Sequence, residues 1–122
     1  MRRKAQREYV ALGKDFLERG IKNNPDRPQL YESLARLYKE KFNDHAAAAR
    51  LFARAATLPS APERDERFAA YELSYAPGKE REAYEALRKL YGRGEHERLP
   101  TLCARLKYLE QKLAIPLDER VF

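Results

Sequence analysis

Side chains that commonly carry chemistry are few in this 122-residue chain, with two histidines and one cysteine beside 19 carboxylates. His45 and His96 lie far apart, and neither has a carboxylate or thiol at a spacing such as H-E-x-x-H that would hold a metal. They read as surface or turn histidines. Cys103 as a nucleophile would need a base and an orienting group; its place on an apolar stripe marks it as a small buried residue instead. A single cysteine rules out an internal disulfide. Gly13, Gly20, Gly78, Gly92 and Gly94 form neither a G-x-G-x-x-G nor a Walker pattern, so no phosphate cradle is indicated. The carboxylates are spread over helix surfaces, without the apolar pocket that would raise a pKa for acid–base work. The expectation is a protein that is not an enzyme and holds no metal or cofactor.

The charge balance is basic. Lysine and arginine total 25 against 19 acids, a formal net charge of +6, with an isoelectric point near 9.5. Such a charge suits an anionic partner, nucleic acid included. However, acids interleave with bases in Glu63-Arg64-Asp65-Glu66-Arg67 and Lys79-Glu80-Arg81-Glu82, the pattern of solvated helix faces with ion pairs. A mean hydropathy of -0.81 and the absence of an apolar run near ~18 residues argue against a membrane span. The opening MRRKAQREYVALGKDF has no apolar core of a signal peptide. A cytoplasmic location is expected.

The positioning elements are helices. Tyr9, Leu12, Phe16, Leu17 and Ile21 recur at helical intervals over 3–22, and Asn23-Asn24-Pro25 ends that run. Pro28 suits a first turn, so a second helix is predicted over 28–41 with Tyr31, Leu34, Leu37 and Tyr38 on one face. Asn43 is a candidate left-handed turn residue and Asp44 a candidate cap for a third helix, 44–57, bearing Ala48, Leu51, Phe52 and Ala55. Ser60 and Glu63 stand at capping-box spacing before a fourth helix, 62–76, whose predicted apolar face is Phe68, Tyr71, Leu73 and Tyr75. Pro77-Gly78 closes it. A fifth helix, 79–91, buries Ala83, Tyr84, Leu87 and Leu90; a sixth, 100–114, carries the stripe Leu99, Leu102, Leu106, Leu109 and Leu113, and the tail 115–122 is predicted extended. Strand-length alternation is absent. One all-α domain of antiparallel helix hairpins, spanning 1–122, follows.

The hairpins share a period. Tyr31, Leu34, Ala35 and Tyr38, followed by Ala48, Phe52, Ala55 and Pro59, resemble the signature of the tetratricopeptide repeat (TPR). Gly13, Leu17, Gly20 and Pro25 are similar to the second half of the same unit. Phe68, Tyr71 and Tyr75 with Ala83, Leu87 and Leu90 resemble a third unit that departs from the pattern at Glu72 and Leu90. Leu99, Leu102, Cys103 and Leu106 resemble the first half of another, with Arg98, Arg105, Glu110 and Lys112 as the polar outer face of a capping helix. The resemblance covers about residues 9–113 and implies a short right-handed superhelix of two to three degenerate repeats, in which the first helix of each pair lines a concave groove.

In that frame the groove positions are Gln29, Glu32, Arg36 and Lys39, then Glu66, Ala69 and Leu73, then Pro100, Ala104, Lys107 and Tyr108. The resemblance implies a protein-interaction module or scaffold that receives a protein or peptide segment. The carboxylate-gripping constellation of some family members is not carried over, because Glu32 and Ser33 stand where basic or amide groups would be required. Alternatives from the same residues are self-association as a homo-oligomer, a repeat fragment of a longer protein, and RNA association through the basic arm Arg2, Arg3, Lys4 and Arg7.

Overall fold

A computed structural model describes residues 2–59, 62–94 and 100–122, among which six α-helices follow one another: α1 Arg2–Asn23, α2 Pro28–Lys41, α3 His45–Ala56, α4 Pro62–Tyr75, α5 Glu80–Gly92 and α6 Pro100–Lys112. Each helix packs on its neighbour in sequence, most extensively at α2–α3 and α3–α4, and α4 also reaches α6. Short connections leave little other choice. Predicted and observed helix boundaries agree within two residues. The proposed Ser60–Glu63 capping box, Leu99, Arg98 and His96 lie outside the described residues or side chains.

Small residues bring α2 and α3 together. Ala35, Ala48 and Ala55 have no exposed surface, and Phe52 fills the space beside them. The turn between these helices is set locally. Asn43 adopts φ 51°, the Asp44 amide donates to the Tyr38 carbonyl at 3.0 Å, and the Asp44 carboxylate accepts from the Ala47 amide at 3.0 Å, an N-cap that contributes about 1 kcal/mol. Where α1 crosses α2, the absence of a side chain at Gly20 lets the Leu30 methyls approach; a Cβ there would sit 3.4 Å from them.

A second apolar cluster joins α4, α5 and α6 through Ala70, Ala83, Leu87, Leu90, Leu102, Leu106, Leu109 and Ile115. Each buried leucine contributes about 1.5–3 kcal/mol relative to exposure. At the end of α6, Ala114 takes φ 51° and the Ile115 amide donates to the Glu110 carbonyl at 3.0 Å, which turns the chain back over α5.

Five expectations are corrected. The tail is not extended throughout: Leu117–Glu119 is a 3-10 turn. The Val121 and Phe122 amides donate to the Glu110 carboxylate, which also accepts from the Tyr84 hydroxyl at 2.9 Å. Glu110 is therefore 1% exposed rather than part of a polar outer face; three donors offset its burial. Burial first, and then the Glu110 carboxylate, hold the Tyr84 phenol above its usual pKa. On α4, Tyr75 is 49% exposed while Asp65, Ala70, Glu72 and Ser74 are buried, as is Ala76 just beyond its end. On α1, Tyr9, Leu12 and Phe16 face outward, whereas Ile21 packs on the α2–α3 core. Cys103 is half-buried, not enclosed.

Candidate interaction surface

The α4 helix determines which residues come together. Phe68 turns toward α3 and stacks on Phe52, ring centroids 5.3 Å apart. Asp65 and Glu72, three residues before and four after Phe68, share that face and are drawn in with it. The Glu72 carboxylate bridges Lys39 of α2 at 3.1 Å and His45 Nδ1 of α3 at 2.6 Å. His45 Nε2 lies 3.1 Å from Asn43 Oδ1. Arg64 reaches Glu32 of α2. Arg64 is the ion-pair partner of the buried Glu32, so its removal would leave that charge uncompensated.

Asp65 is the exception within this polar layer. It has no exposed surface, and as a carboxylate neither of its oxygens finds a donor. Desolvation, reinforced by the neighbouring Glu32, raises its pKa from 3.8 to about 7. A proton on Asp65 supplies the donor that two facing carboxylates lack.

With the 65–68–72 face committed to α2 and α3, the adjacent face of α4, Glu66, Ala69, Ala70 and Leu73, opens between α3 and α5. There it floors a trough of about 490 Å³ walled by Ala49, Arg50 and Ala53 of α3 and Glu85, Ala86, Lys89 and Leu90 of α5. Alanines keep the walls low. Leu73 and Leu90 supply apolar depth, and Arg50, Glu66, Glu85 and Lys89 supply charge of both signs. Glu66 is held by Arg93 at 3.0 Å.

Three groove positions read from the sequence, Glu66, Ala69 and Leu73, thus share one concavity. The others do not join it. On α2, Gln29 and Arg36 are exposed, Glu32 is buried against Arg64, and Lys39 is tied to Glu72. On α6, Pro100, Ala104 and Lys107 are exposed, and Tyr108 lies beside Arg105. The walls from α3 and α5 are not among the predicted positions, because the periodicity of each helix reports only the stripe that packs its own hairpin. The run Ala46–Ala49 with Ala53 was the available signal: small residues on more than one face leave room for a second neighbour.

Among the described residues no group of three histidine, cysteine or acidic side chains converges as a metal site, and no helix is long and apolar enough to cross a membrane. Comparison with protein-family models, curated proteins and solved structures finds no match to this chain.

Proposed function

We propose that this chain is a non-catalytic protein-interaction module, a short TPR-like array whose α3–α4–α5 trough receives a segment of a partner protein. The observation that carries the reading is the trough itself, apolar at its floor and charged at its rim. An amphipathic or extended segment would place small apolar anchors over Leu73 and Leu90 and match its charges to Arg50, Glu66, Glu85 and Lys89. The α2–α3 hairpin, closed by Ala35, Ala48 and Ala55, supports the repeat frame. In this frame a right-handed superhelix would continue through α4 and α5.

Affinity capture with and without nuclease, combined with a salt titration, tests the class of partner. A protein retained through nuclease treatment and moderate salt supports this reading. Capture that depends on nucleic acid and falls steeply with salt would transfer the role to RNA.

A further inference from the structure

Helix α1 packs chiefly on α2, through the side that carries Gly20 and Ile21. Tyr9, Leu12 and Phe16, spaced i, i+3, i+7, are 75%, 65% and 73% exposed. Together they form one stripe along two turns. Beside its first half, an open groove of about 730 Å³ runs between α1 and the end of α2, with Arg7, Tyr9, Val10, Leu37, Lys41 and Phe42 among its lining residues. Phe42 is itself 45% exposed. An apolar stripe continuous with an apolar groove is an uncommon feature on a surface that is otherwise charged.

Charge selects the occupant. The charged residues lining the groove are Arg7 and Lys41, both exposed and neither in an ion pair among the described residues. The first turn of α1 contains no acid, so its positive dipole end adds to the same field. A second copy that paired through this same patch about a two-fold axis would bring two Arg7–Lys41 sets into one interface, on a molecule of net charge +6. An acidic partner meets no such repulsion. We propose that the α1 stripe and the α1–α2 groove seat an amphipathic helix with glutamate- or aspartate-rich flanks, supplied by another protein, at a site separate from the α3–α4–α5 trough.

The probe is a labelled helical peptide of about 18 residues with leucine or phenylalanine at i, i+3, i+4 and i+7 and glutamates on both flanks. Its control is the same peptide with lysines replacing the glutamates. Fluorescence anisotropy should show binding of the acidic peptide that weakens with salt, and at least about tenfold weaker binding of the basic one. Leu12→Ser with Phe16→Ser, at exposed positions, should reduce affinity about tenfold or more with an unchanged circular dichroism spectrum. Arg7→Glu with Lys41→Glu should reverse the preference toward the basic peptide, and Ala53→Arg in the trough should have no effect. Failure of the acidic peptide to bind, or equal binding of the two peptides, overturns the proposal. So does a wild-type dimer in sedimentation that Leu12→Ser with Phe16→Ser dissociates, which would give the face to a second copy.

Discussion

The Arg105 guanidinium lies 4.0 Å from the centroid of the Tyr75 ring and donates to the Ser74 carbonyl at 2.8 Å, so one side chain of α6 both stacks on the last residue of α4 and satisfies a backbone acceptor there. Its Nε donates to the Ser74 hydroxyl at 3.1 Å, and Tyr108 lies on it at 4.6 Å. The planar fork makes these contacts together. Arg105→Lys keeps the charge but loses the paired geometry, and should destabilise by about 1–2 kcal/mol. The urea midpoint reads this directly, and an unchanged midpoint would mean that the stack contributes nothing.

Asp65 sets a pH dependence whose sign is opposite to that of an ordinary ion-paired carboxylate. Its folded pKa of about 7 stands above the unfolded value of 3.8, so the native state binds the extra proton. The contribution is fully present below about pH 4, is lost as pH rises toward 7, and stays lost above that. Asp65→Asn, which cannot ionise, should therefore stabilise the protein at pH 8 by about 1–4 kcal/mol and have little effect at pH 4. Paired urea titrations at the two pH values check it; destabilisation at pH 8 would show that the carboxylate is the favoured form.

Ala48 has no exposed surface and packs in one cluster with Ala35 of α2. Ala48→Leu inserts three carbons where the neighbouring helix lies, and should cost about 1–3 kcal/mol. An unshifted thermal midpoint would mean the hairpin does not close on this residue.

Ala114 holds a left-handed conformation at the end of α6 with φ 51°. Ala114→Gly should stabilise by about 0.5–1 kcal/mol, since strain relieved in the folded chain outweighs the freedom glycine adds to the unfolded one. A lower melting temperature would indicate that the tail turns by another route.

The sequence made the α2–α3 hairpin legible because its determinants are local: a proline entering a first turn, the Asn43-Asp44 pair, and alanines at helical spacing. The face of α4 was not legible. Phe68, Tyr71 and Tyr75 have acceptable spacing for a core stripe, yet the environment of this face is set by polar partners far along the chain, Lys39 and His45 for the buried Glu72 and Arg105 for the exposed Tyr75. Periodicity reports which residues share a face, not which distant partner claims it. For the same reason the stripe of α6 places Glu110 at the surface, whereas the donors that bury it come from Tyr84 and the tail. Of the candidate groove positions, the three on α4 line one concavity, while the α3 and α5 walls depend on packing that no single helix encodes.

Ala53 is exposed on the wall of the trough, so Ala53→Arg should fill the concavity while the melting temperature holds. Nuclease-treated affinity capture with wild-type and Ala53→Arg baits, compared by quantitative mass spectrometry, is the most direct measurement of the trough as a binding site. The account predicts a partner held by the wild type and lost from Ala53→Arg. An identical set of partners on both folded baits would contradict it.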